Sequence, residues 1–159
     1  MKKFFFTVLS LMFVLISFAY GTLHIDEKLK QSFQVRFPHA QNVSWYESSD
    51  AYEVYFVEAK VQTRIIYAKD NSSVNFIRYY KDSVLPYPVQ YLLQKQYPGK
   101  KVFGVTETST VSKNGALSID YHLVLEDLKK WYLVTINKDG TVSLDEKYNK
   151  QQPIPERKD

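Results

Sequence analysis

Two stretches of this chain repeat one another at a fixed distance, and that repetition constrains the fold more than any other feature. Tyr52-Glu53-Val54-Tyr55-Phe56 is followed by a polar break and then Arg64-Ile65-Ile66-Tyr67-Ala68-Lys69-Asp70-Asn71. Tyr121-His122-Leu123-Val124-Leu125 is followed by a charged break and then Tyr132-Leu133-Val134-Thr135-Ile136-Asn137-Lys138-Asp139-Gly140. Tyr52 and Tyr121 stand 69 residues apart, and so do Asp70 and Asp139, so the copies align without a gap. Within the first copy, alternation sends Tyr52, Val54 and Phe56 to one side and Glu53, Tyr55 and Val57 to the other. The pattern reads as a duplicated antiparallel meander.

A helix is expected ahead of each meander. Ile25, Leu29, Phe33 and Phe37 recur every four positions among charged residues, giving one amphipathic stripe. Thr22 is placed to cap it, and Pro38 disfavours helical geometry at Phe37 and so ends it. Residues 85–99 repeat the theme, with Val89, Leu92, Leu93 and Tyr97 on one face and Tyr97-Pro98-Gly99 as the stop. The two Pro stops are 60 residues apart against 69 for the meanders, which places an insertion of nine residues within 108–118. There Ser112-Lys113-Asn114-Gly115 signals a hairpin turn. The expected fold class is α+β: a tandem repeat of one helix plus a small antiparallel β-meander, with the helices packed on one face of the sheet or sheets. The first unit covers 22–82 and the second 83–148. The polar, proline-containing tail 149–159 is expected to be disordered.

The first residues carry an address. Lys2 and Lys3 precede a mostly apolar run over 4–18, with Ala19 and Gly21 after it. This matches a secretory signal peptide, cleaved after Gly21 or Ala19, and is short for a membrane span. The expected location is periplasmic or secreted, with no membrane anchor after cleavage. The formal charge of +4 includes Lys2 and Lys3, so the remainder carries only +2, with basic residues scattered among acidic ones. Nucleic acid is therefore not expected as a partner. The chain has no cysteine, which excludes disulfides, thiol nucleophiles and Cys-ligated zinc.

Phe37-Pro38, Asn42-Val43-Ser44-Trp45, Tyr52 to Phe56, the turn at Tyr67 to Asn71, and Leu85-Pro86 ahead of Tyr97-Pro98-Gly99-Lys100 together resemble the PepSY-like family of small exported bacterial proteins, also described as beta-lactamase-inhibitor-like. The resemblance extends over nearly all of residues 23–148. It implies tandem helix-plus-sheet units outside the cytoplasm, no catalysis, and a role in binding or restraining other proteins such as envelope hydrolases or proteases. It also implies calcium regulation for some relatives. Asp70-Asn71-Ser72 departs from the glycine often found in the first meander turn, although Asn tolerates left-handed geometry.

No catalytic constellation is visible. His24, His39 and His122 have no second ligand at metal spacing, no serine sits in a GxSxG context, and no glycine-rich phosphate loop is present. Asp70, Asn71 and Asp139 are oxygen donors for calcium, but they lack the carboxylate density of a calcium loop and read as turn formers. No catalytic residue, metal or cofactor is therefore assigned. Thirteen tyrosines are unusual in a chain of 159 residues, and several alternate onto the side opposite the core. Trp45, Tyr55, Arg64 and Tyr79 are the candidate partner-binding residues, since Tyr, Trp and Arg dominate protein interfaces. Asn114, in the inserted hairpin, joins them as a point where the copies differ. The leading expectation is a non-catalytic exported module that binds or inhibits a protein or peptide. The alternative is a periplasmic small-ligand or calcium-sensing protein.

Overall fold

The structure, a computed structural model, describes residues 25–151; the expected signal segment 1–21, the cap at Thr22 and residues 152–159 of the tail lie outside the described residues. The elements run α1 (Glu27–Arg36), β1 (Gln41–Glu47), β2 (Ala51–Glu58), β3 (Val61–Ala68), β4 (Ser73–Tyr80), a 3₁₀ turn (Asp82–Val84), α2 (Tyr87–Gln96), β5 (Lys101–Ser112), β6 (Leu117–Glu126), β7 (Lys130–Ile136) and β8 (Val142–Asn149). The eight strands form one antiparallel sheet in chain order.

This overturns the α+β expectation of two tandem helix-plus-meander units. The molecule is mostly β, a single eight-stranded sheet with two helices of ten residues each. The cause lies in β4 and β5, which pair without a break from Ser73↔Ser112 to Tyr80↔Val105. A free four-stranded meander exposes two edges of unpaired N–H and C=O groups. Joining β4 to β5 removes one edge from each half. The surplus residues placed in 108–118 do not form a separate loop but lengthen β5 to 12 residues and β6 to 10.

The helices are shorter than the periodicity implies, for local reasons. Asp26 caps α1, its Oδ1 accepting the Lys28 N–H at 2.9 Å, so the helix begins at Glu27. The Phe37 N–H closes its last turn on the Phe33 carbonyl at 2.8 Å, and Pro38 follows. In α2, Pro88 stands in the first turn, where no intrahelical donor is needed, and the Tyr97 N–H closes on Leu93 at 2.7 Å.

Cross-strand partners share a face, so register decides what the helices cover. Val54↔Ile65 and Ile65↔Phe76 put these three residues on one side. There Phe33 of α1 packs with Val54, Phe56 and Ile65, and its ring meets Phe56 edge-on at 5.1 Å. Further along the same side, Val89 and Leu93 of α2 pack with Val105, Leu123, Leu125 and Val134. Between the two clusters Glu107 is buried. It accepts from Arg78 Nη1 at 3.1 and 3.3 Å and from the Tyr80 hydroxyl at 2.6 Å. Burial, and then the Glu107 bond, push the Tyr80 hydroxyl far above its ordinary pKa.

Two turns stand out energetically. Ala59 and Lys60 join β2 to β3 with φ of 49° and 67°, a left-handed pair built without Gly or Asn. L-residues resist this geometry by roughly 1–2 kcal/mol each. Asp127 in the β6–β7 turn accepts from Lys100 Nζ at 2.8 Å, the Tyr132 hydroxyl at 2.7 Å, and the Lys129 and Lys130 N–H groups at 2.8 Å each. The Lys100 bond, followed by the Tyr132 bond, holds its carboxyl well below the usual range.

Two outcomes are expected. Ala59→Asn combined with Lys60→Gly supplies the favoured hairpin dipeptide and raises stability by about 1 kcal/mol, or about 3–5 °C in Tm by calorimetry. Asp127 has a depressed folded pKa, so its contribution is present above the unfolded value of about 4 and is lost as the pH falls through the folded one. Asp127→Asn therefore lowers Tm near neutral pH, and thermal scans should show the gap to wild type closing below about pH 4.

Candidate functional site

With both helices on one side, the other side of the sheet is open. Register assigns its residues. Tyr46 pairs with Glu53 and Ser44 with Tyr55 at the β1 edge. Tyr55↔Arg64, Arg64↔Ile77 and Ile77↔Thr108 continue one row across β2 to β5. Gln62↔Tyr79, Tyr79↔Thr106 and Thr106↔His122 form the row beside it.

In the N-terminal half of this face Arg64 donates from Nε at 3.0 Å and Nη2 at 2.9 Å to the same Glu53 oxygen, which also accepts from the Tyr55 hydroxyl at 3.1 Å. The guanidinium lies 5.4 Å from the centre of the Tyr55 ring. Tyr46 meets that ring edge-on at 5.3 Å. Glu53 thus fixes both members of the stack. Its hydrogen bond raises the Arg64 pKa further, while partial burial is the main cause of the rise at Tyr55. Tyr55 is 37% and Tyr79 43% exposed, so the rings remain available to a partner.

The structure brings together three of the five sequence candidates, Tyr55, Arg64 and Tyr79, and separates the other two. Trp45 pairs with Val54 and lies under α1, edge-on to Phe33 at 5.4 Å and stacked on Tyr67 at 6.4 Å. It belongs to the core. Asn114 accepts from the Ser112 hydroxyl at 2.7 Å and the Ala116 N–H at 3.1 Å, shaping the β5–β6 turn at the end of two more distant strands. The tyrosine surplus also divides: Tyr80 and Tyr132 are buried on the helix side.

Sequence reasoning missed Glu53 and Tyr46. Glu53 stands opposite Ile66 on β3, and its contact with Arg64 is a diagonal that only register reveals. The C-terminal half of the face was missed as well. It carries Thr106, Thr108 and Thr110, together with a chain in which the Thr135 hydroxyl donates to Asp145 at 2.6 Å and lies 3.0 Å from His122 Nδ1. The calcium candidates are occupied locally: Asp70 accepts the Ser72 N–H and Asp139 the Thr141 N–H, each at 2.9 Å. Among the described residues no three His, Cys, Asp or Glu side chains converge as a metal set.

An open eight-stranded antiparallel sheet with two helices on one side defines the architecture. A BLIP-like protein from Bacteroides fragilis is similar at 12% identity and a TM-score of 0.55, over 86% of this chain and 94% of that one. DUF2874 family proteins from Bacteroides uniformis and Bacteroides ovatus are each 15% identical with a TM-score of 0.49. They cover 79% and 77% of this chain and 89% and 86% of their own. At such identities the likeness to the BLIP-like protein concerns the fold. No family model matches the chain, and no curated protein matches it.

Adjacent residues on β3 separate the roles of the two faces. Arg64→Ala should change unfolding free energy by less than about 1 kcal/mol, as its ion pair is partly solvated. Ile65→Ala should cost about 3 kcal/mol by urea denaturation, because it empties the α1 core.

Proposed function

We propose that this protein is an exported, non-catalytic binding module whose open sheet face, centred on Tyr55, Arg64 and Tyr79, holds a protein partner such as an envelope hydrolase or protease. The single observation that carries the reading is the Tyr46–Tyr55–Arg64–Glu53 cluster, a preorganised aromatic and guanidinium surface left uncovered beside exposed Tyr79. Rigid aromatic and Arg anchors supply most of the energy in protein interfaces, and fixing them before binding lowers the entropic cost. Glu53 fixes Arg64 while leaving the ring edges exposed. The fold likeness to a BLIP-like protein and the resemblance of the sequence motifs to PepSY-like proteins support an inhibitory or restraining role. The charged and apolar N-terminal segment supports export to the periplasm or beyond. The 60- and 69-residue spacings of helices and later strands support descent by duplication, with the surviving correspondence in the core.

A photo-crosslinking residue at position 79 tests the assignment in the cells that make the protein. It should yield a discrete protein adduct that Arg64→Glu abolishes. The same residue at position 91, exposed on α2, should yield none. Equal labelling at both positions, or none at 79, would sink the open-face assignment.

A further inference from the structure

The lysines that look scattered in the sequence converge at one end of the second half of the sheet. Lys101 opens β5 with Lys100 just before it, Lys129 lies in the β6–β7 turn and Lys130 opens β7, and Lys147 lies near the end of β8 with Lys150 just after it. Register makes them neighbours: Lys101↔Glu126, Lys130↔Asn149 and Tyr132↔Lys147 are paired positions, and the Lys150 N–H bonds the Lys129 carbonyl at 2.9 Å. Within 100–103, 126–132 and 146–150 the six lysines face three carboxylates, Glu126, Asp127 and Glu146, a balance of +3. That exceeds the +2 of the whole chain after residue 21, so this end is basic and the rest is slightly acidic. Lys100 and Lys150 are paired with Asp127 and Glu126, whereas Lys101, Lys129, Lys130 and Lys147 form no ion pair among the described residues.

The same end projects apolar groups. Leu128, at the tip of the β6–β7 turn, is 96% exposed, more than any other large apolar residue described. Phe103 is 52% exposed and meets Trp131 edge-on at 4.9 Å, and the Lys150 ammonium lies 4.7 Å from the Trp131 ring centre. The turn beneath Leu128 is held rigid by Asp127, so the side chain is presented rather than tucked in.

We propose that this end is a peripheral docking surface for an anionic lipid bilayer. Ammonium groups around a protruding Leu, with a Phe–Trp pair beside it, suit a boundary where headgroup phosphates overlie acyl chains. Lysines supply attraction to anionic headgroups, and Leu128, Phe103 and Trp131 enter the interfacial layer. A soluble acidic polymer would use the lysines but gain nothing from a fully exposed Leu. The Tyr55–Arg64 face lies on β2 and β3, across the sheet, so attachment here leaves it accessible. Neither proposal depends on the other.

The test is co-sedimentation of the full mature chain with vesicles of phosphatidylcholine alone or with phosphatidylglycerol added. Binding is expected only with phosphatidylglycerol and should weaken as salt rises. Lys129→Glu with Lys130→Glu should reduce partitioning at least tenfold, since each surface lysine contributes about fivefold. Leu128→Ser should also reduce it, with Tm unchanged because the side chain makes no packing contact. Lys113→Glu with Lys138→Glu, the same change in net charge at the opposite end of the strands, should have little effect. No binding to phosphatidylglycerol vesicles, equal losses in both charge variants, or indifference to Leu128→Ser would overturn the proposal. So would heparin binding as tight as vesicle binding and equally blind to Leu128.

Discussion

The ladder between β4 and β5 is the contact on which the rest of the structure depends. Each half of the chain has one short helix and can bury only a narrow apolar stripe, and a small meander covered by ten helical residues is marginal by itself. The continuous pairing from Ser73 to Tyr80 makes the two stripes parts of one surface. Its helix side is not purely apolar, because the row Thr63, Arg78 and Glu107 crosses it between the two apolar clusters. Arg78 and Glu107 stand opposite each other at that seam, Arg78 reaching both carboxylate oxygens and the Tyr80 hydroxyl donating to one of them. A buried carboxylate is tolerable only when its hydrogen bonds are supplied, and here two neighbouring side chains supply them.

Elements with local causes were legible in the sequence, and those with distant causes were not. Phe37-Pro38 and Tyr97-Pro98 stop their helices where the sequence places the stops, because the clash before proline is a two-residue effect. The alternation of Tyr52 to Phe56 predicts the two sides of β2, and Val54 at 0% exposure against Tyr55 at 37% agrees with it. Whether the meanders join could not be read, since β4 and β5 are separated by a helix and a 3₁₀ turn, and both carry ordinary strand residues. The start of α1 was misplaced because Thr22 is a cap-competent residue ahead of the apolar stripe, and only the Asp26 bond to Lys28 shows where the first turn begins.

The binding candidates divide along the same line. Tyr55 and Arg64 could be paired from the alternation and the length of the Glu58-Ala59-Lys60 turn. Trp45 could not be assigned to a face until the register of β1 on β2 was known; Trp45↔Val54 places it on the helix side. Its partners on the helix side, Phe33 and Tyr67, come from elements on either side of it in the chain. Asn114 was singled out for lying where the copies differ, yet its carboxamide oxygen shapes a turn. A difference between copies marks a change in structure as readily as a change in function.

What the open face did not have to be is the strongest pointer to its use. A sheet with both helices on one side must keep its other side wet, and in the C-terminal half Thr106, Thr108, Thr110 and Thr135 do so, satisfying strand propensity and water together beside the apolar pair Val124 and Leu133. The N-terminal half could have done the same. Instead it places Ile66, Ile77, Tyr55 and Tyr79 there, and spends Glu53 on orienting a single arginine rather than on solvation. Solubility favours none of those choices, and the core beneath gains nothing from them, since Val54 and Ile65 are already fully buried from the other side. The cluster around Arg64 is the part of the open face whose chemistry would suit the protein partner proposed above.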